Sequence, residues 1–154
     1  MNDQTAAVLP VQTPCIGICS TVFGDKVCRG CKRYTEEIVE WNAYSQAQKQ
    51  AVDDRLQSHL LQILGGKFIV QDADKFQRAL QDNNIRYIAA RPPLCWVNDL
   101  LRTRIVEEQP LETFGLALHK SLTGMAIADI RHELDSELYT LSQAHHQRYI
   151  AVGE

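Results

Sequence analysis

Four cysteines, Cys15, Cys19, Cys28 and Cys31, fall within seventeen consecutive residues of a 154-residue chain, spaced C-x3-C-x8-C-x2-C, and the fifth, Cys95, stands far away. Two close pairs separated by a stretch long enough to turn back can aim four thiolates at one centre. A single tetrahedral metal ion is the simplest occupant, and two disulfides or free thiols are the alternative. Compact cubane motifs crowd three cysteines within about eight residues and recruit a fourth from elsewhere, whereas two pairs across a turn resemble mononuclear knuckles, which favours zinc. Catalytic zinc keeps one position open and usually carries histidine or carboxylate ligands. Residues 1–58 contain no histidine, so a zinc ion on these four cysteines is expected to be structural. The alternative cofactor is iron, as a rubredoxin-like atom or an iron-sulfur cluster, since both accept four thiolates.

A divalent ion with four thiolates carries two negative charges, and Lys26, Arg29, Lys32 and Arg33 stand ready in sequence to offset them. Arg29, Lys32 and Arg33 with Tyr34 suggest a nucleic-acid contact, but Glu36, Glu37 and Glu40 follow at once and oppose a phosphate backbone, so nucleic acid is not the expected partner. Other chemistry is weaker. His132 and Glu133 precede His145-His146 on one expected helix, but thirteen residues is not an i, i+4 spacing and adjacent histidines face different ways, so these are read as surface residues. Cys95 beside Trp96 reads as a small buried hydrophobe; His59 or His119 are the bases that would have to activate it, and nothing in the spacing brings either close. No phosphate-cradling glycine loop, nucleophile elbow or dinucleotide fingerprint is present, and no catalytic residue is assigned. The balance leans away from an enzyme.

The elements that must position the quartet follow from local pattern. Residues 1–13 are expected to be a disordered leader without the basic start and apolar core of a secretory signal. Gly24-Asp25, between β-prone residues, should reverse the chain as a hairpin or irregular turn, and Gly17 and Gly30 inside the cysteine pairs let backbone amides approach sulfur. Thr35 as N-cap, with Glu36 and Glu37 in the first turn and Tyr34 stapled on Val39, predicts a helix over Glu36 to Ala43. Ser45 with Gln48 forms a capping box for a second helix carrying Val52, Leu56, Leu60 and Leu64, ended by Gly65-Gly66. Trp41 and Tyr44 should close over the knuckles or the second helix. A module this small gains from a metal staple.

Beyond it, Phe68 to Val70 reads as a strand, Asp72 to Asn83 as a helix with Phe76, Ala79 and Leu80 inward, and Ile85 to Ala89 as a second strand. Trp96 to Ile105, Leu111 to Leu122 and Ala126 to Tyr149 read as helices, the last two jointed at Gly124. The expected fold is therefore α+β and mainly helical: a four-cysteine module over 14–64 with two helices, then a C-terminal α+β part over 67–154 of no legible role.

Pro14-Cys15-Ile16-Gly17-Ile18-Cys19, then Cys28-Arg29-Gly30-Cys31-Lys32-Arg33, Glu36-Glu37-Ile38 and Trp41 together resemble a short bacterial family, the domain of unknown function 1289 family, over about residues 13–57. Its members are often labelled iron-sulfur proteins. The resemblance implies metal binding by Cys15, Cys19, Cys28 and Cys31 and no established activity.

Composition sets the remaining bounds. The chain is 45% hydrophobic and 23% charged, in the range of ordinary globular proteins. Its net charge of −3 is spread evenly, so neither half is a magnet for polyanions. Its apolar runs are far shorter than the roughly 18 residues of a membrane span. The expectation is a cytoplasmic metal-binding protein with a structural site, zinc before iron, acting as an accessory module for a protein partner; a small iron-sulfur redox protein is the alternative. Oligomeric state is not legible.

Overall fold

The computed structural model of the chain describes residues 10–150, mainly helical with one two-stranded sheet. It forms two compact units that divide between Arg55 and Leu56, inside a long helix and ahead of the glycine pair.

In the first unit the chain reverses between the two cysteine pairs, as expected, but through a 3-10 turn over Ser20–Phe23 closed by Gly24 in the left-handed region (φ 99°), not through a hairpin. Pairing of β type forms instead around the second cysteine pair, where Val27 bridges Tyr34 and the Cys28 amide donates to the Arg33 carbonyl at 2.9 Å. Helix α1 (Thr35–Glu40) runs into a 3-10 turn over Trp41–Ala43. Tyr34, not Thr35, is its N-cap, and Glu37 reaches back to accept the Tyr34 amide at 2.9 Å. The Thr35 hydroxyl is spent elsewhere, on the Asp25 carbonyl at 3.0 Å. The expected staple of Tyr34 on Val39 is absent: Tyr34 is buried beneath the Arg55 guanidinium, 4.0 Å from its ring centroid, and Val39 faces solvent. Helix α2 (Gln46–Leu64) starts at the capping box read from sequence, with the Ser45 amide donating to Gln48 Oε1 at 2.8 Å and the Gln48 amide to Ser45 Oγ at 3.1 Å.

In the second unit, strand β1 (Phe68–Val70) forms where expected, but its partner is not Ile85–Ala89. It is β2 (Leu116–Leu118), antiparallel in the register Phe68↔Leu118, Ile69↔Ala117, Val70↔Leu116. The helix expected over Leu111–Leu122 is broken into 3-10 turns at Leu111–Phe114 and Lys120–Leu122 on either side of that strand. Gly115 is the cause. It sits at φ 69°, and its carbonyl accepts from the Gln71 and Asp72 amides at 2.8 and 3.1 Å, so the chain leaves helical geometry to meet the end of β1.

Residues 85–89 are held by side chains in place of a ladder. The Tyr87 ring packs edge-on against Trp96 at 5.0 Å, its hydroxyl takes Gln77 and Gln81 at 3.1 Å each, and the Ile88 carbonyl accepts from Trp96 Nε1 at 3.0 Å. Helix α3 (Ala73–Asp82) is capped by Asp72, whose carboxylate accepts the Lys75 amide at 3.0 Å, and turns Phe76 and Leu80 inward. Helix α4 (Pro93–Leu101) begins earlier than read, because Pro93 in its first turn needs no amide partner. A short α5 (Ile105–Glu108) follows, and α6 (Ile127–Tyr149) matches its expected span. Leu60 and Leu64, Phe68, Phe76, Leu80, Trp96, Leu100, Phe114, Leu116, Ile130 and Leu134 share one apolar core.

Candidate metal centre

The four cysteines of the first unit lie on two short loops that dock against each other. A Cβ built at Gly30 would stand 2.7 Å from the Ile18 carbonyl oxygen and 3.0 Å from the Ile16 side chain, so only glycine lets the second loop lie this close to the first. Two polar contacts fix the docking: the Arg29 amide donates to Ser20 Oγ at 2.8 Å, and the Cys28 thiol donates to the Ile18 carbonyl at 3.3 Å. Gly17, at φ 89°, turns its amide back onto Cys15 Sγ at 3.4 Å. The approach of glycine amides to sulfur that the sequence suggested is present at both loops.

Each sulfur has a polar neighbour. Burial opposes a thiolate at Cys28, yet the amides of Cys31, Ser20 and Gly30 and the Cys31 side chain outweigh it and bring the Cys28 pKa below the ordinary thiol value. At Cys31 burial wins and pushes the thiol up, although Arg33 Nε donates to its Sγ at 3.3 Å. Cys19 Sγ shares a hydrogen bond with the Thr21 hydroxyl at 3.0 Å. None of the cysteines is joined in a disulfide. Among the described residues no three cysteine, histidine, aspartate or glutamate side chains are gathered as a ready ligand set. The loops are brought together, with Cys28 against Cys31; the four sulfurs are not drawn into one coordination sphere. The donor set nonetheless fits a tetrathiolate ion chemically, because backbone N–H groups already face sulfur where negative charge would reside.

Two cations expected to offset that charge are buried here. Lys32 turns its ammonium onto the Arg29 and Gly30 carbonyls within its own loop, and Arg33 lies over the Trp41 ring at 4.8 Å. Trp41 also receives Lys49 of α2 at 5.6 Å and stands 6.4 Å from Tyr44, so the aromatic pair closes between the knuckle and the second helix. Beneath it, Arg55 grips both oxygens of the buried Glu37 carboxylate at 2.5 and 2.7 Å.

Residues 13–60 match the family described as Protein of unknown function (DUF1289). Over 43 residues the chain is 47% identical to the uncharacterized protein YdhL of Escherichia coli (strain K12), and equally so to that of Shigella flexneri, covering 28% of this chain and 53% of either relative. The chain thus spans about half the length of the curated relatives it matches. No solved structure matches it. The DUF1289 segment contains all four clustered cysteines, Gly17, Gly30 and Trp41.

Outside that segment, Cys95 is buried in the core as read. His132 is exposed as read, but His145 and His146 differ from expectation. His146 is buried at the end of the inward stripe of α6, after Ile130, Leu134, Leu138 and Ser142, and the His145 ring meets the buried His59 edge-on with ring centroids 5.2 Å apart. The missed signal was the unbroken i, i+4 spacing of that stripe, which continues past its last leucine into polar residues. His119 is engaged locally, its Nδ1 accepting the Ser121 amide at 3.3 Å. Among the described residues no helix is long and apolar enough to cross a membrane.

Proposed function

We propose that Cys15, Cys19, Cys28 and Cys31 bind one metal ion, zinc in preference to iron, and that this ion is a structural staple for an accessory module that engages a protein partner in the reducing cytoplasm. The observation that carries the reading is the set of N–H groups facing the sulfurs: the Gly17 amide on Cys15, three amides on Cys28, and Arg33 Nε on Cys31. Such donors stabilise thiolates, the form that binds metal. The glycine-tight docking of the two loops supports the same reading, since it holds Gly30 of the second loop against Ile16 and Ile18 of the first. A bound ion would supply folding energy, on the order of 10 kcal/mol for a structural zinc. No open position and no general base accompany it, so no reaction is assigned.

Metal analysis with an absorption spectrum of freshly purified protein tests the proposal. One equivalent of zinc in a colourless protein is expected, and visible charge-transfer bands would instead make the site an iron or iron-sulfur centre. Cys28→Ser should lose about one equivalent and unfold residues 14–44, whereas Cys95→Ser should keep its metal. Full metal content in Cys28→Ser would overturn the ligand assignment.

A further inference from the structure

We infer that the two cysteine pairs have unequal duties: Cys28 and Cys31 are a fixed pair that receives the ion, and Cys15 and Cys19 ride on a strap, residues 15–24, that closes onto them last and opens first. This rests on the reading of the four cysteines as one metal site and adds how that site fills and releases.

The second pair is pinned on both sides. Val27 bridges Tyr34, the Thr35 amide donates to the Lys26 carbonyl at 3.0 Å, and within the loop the Cys28 amide reaches the Arg33 carbonyl at 2.9 Å. The Lys32 amide closes the turn on the Cys28 carbonyl, also at 2.9 Å. Cys28 is 1% and Cys31 7% exposed, and their side chains share a hydrogen bond. Gly30 between them is locked by the backbone of Ile18. These two sulfurs therefore meet a ligand with no further backbone order to be gained, which spares the entropy that ordering a loop costs.

The strap is built differently. Cys15 and Cys19 are only half-buried, and each sulfur is engaged two residues away within the strap itself, Cys15 by the Gly17 amide at 3.4 Å and Cys19 by the Thr21 hydroxyl at 3.0 Å. The hydrogen bonds that tie Ile18 and Ser20 to the second loop each depend on one side chain, the Cys28 thiol and the Ser20 hydroxyl. Gly17 and Gly24, at φ 89° and 99°, have open space where a Cβ would stand, in contrast to Gly30, so both can pivot without collision. A half-exposed segment with local bonds and free pivots is the part of a fold that opens at least cost. A competing thiol or chelator therefore reaches the ion from the side of Cys15 and Cys19.

Cobalt(II) titration of the metal-stripped full-length chain tests this, since sulfur-to-cobalt charge transfer reports how many thiolates are bound. The wild type should take one equivalent with the band of four thiolates. The double variant Cys15→Ser with Cys19→Ser should keep one equivalent with about half the band and a Kd raised roughly a hundredfold or more. Cys28→Ser with Cys31→Ser should take up none at those concentrations. Should circular dichroism show that variant unfolded, brief N-ethylmaleimide labelling of the loaded wild type decides: in native mass spectra, chains with two labels should carry them on Cys15 and Cys19 and still hold one ion. Equal loss of cobalt in both double variants of a wild type that binds it would overturn only the order. So would labels spread over both pairs, or doubly labelled chains without the ion. A wild type that takes up no cobalt would overturn the metal site itself, and the strap with it.

Discussion

Arg33 joins the cysteine loops to the aromatic layer beneath them: its Nε donates to Cys31 Sγ at 3.3 Å while its guanidinium lies 4.8 Å from the centre of the Trp41 ring. One side chain thus serves both a sulfur whose pKa burial raises and the tryptophan that packs against α2. Replacing Arg33 with methionine should keep most of the volume and lose both interactions, costing about 1–2 kcal/mol. Metal should also pass to a chelator more readily. Arg33→Lys should recover only part of the loss, because an ammonium lacks the planar face and the Nε donor. Thermal unfolding and chelator competition measure the two effects.

The Glu37–Arg55 pair carries a second prediction. Both partners are largely buried, and Glu37 also accepts the Tyr34 amide that starts α1. Glu37→Gln leaves a buried guanidinium without its counter-charge and should cost about 3 kcal/mol. Urea unfolding followed through Trp41 fluorescence would show it.

Tyr34 predicts an alkaline limit. Burial chiefly, with Glu37 and Glu36 adding to it against Arg55, pushes its phenol up to about 12. The folded protein therefore holds the phenolic proton that the unfolded chain releases near pH 10, so stability is fully present below pH 10 and falls as pH rises toward 12. The loss should reach roughly 2–3 kcal/mol across that window. Tyr34→Phe should flatten the fall. Denaturant midpoints measured between pH 9 and 12 would decide it.

Gly115 is the most constrained position of the second unit. Its φ of 69° disfavours any side chain, and a Cβ there would stand 2.7 Å from the Asp72 carbonyl oxygen. Gly115→Ala should cost about 2–4 kcal/mol. Gly115→Asn should not rescue it, because tolerance of the left-handed region does nothing for a backbone collision. A fall in melting temperature for both variants is the expected result.

Where a short sequence pattern acted on its own neighbours, it was readable. Ser45 and Gln48 bond each other, and Gly17 and Gly30 do admit amides to sulfur. The family resemblance over the cysteine segment holds over 13–60. What stayed hidden depends on distant partners. Leu116-Ala117-Leu118 has helix-forming residues and becomes a strand because β1 offers it a ladder and Gly115 bends the chain to reach it. Ile85 to Ala89 has strand-forming residues and finds no edge, because Trp96 and α3 satisfy its side chains first. At the cysteine site the loops were legible from spacing, and the burial of Lys32 and Arg33 was not, since their targets are carbonyls and a ring that only the folded loop assembles.

The pairing of β1 with β2 has a consequence during synthesis. Phe68, Ile69 and Val70 emerge from the ribosome dozens of residues before Leu116, Ala117 and Leu118, and until then the first strand has no complement and Phe68 no cover from it. The nascent chain must carry a sticky edge through the making of α3, α4 and α5. A pause in translation between those points would lengthen its exposure to aggregation and to chaperones.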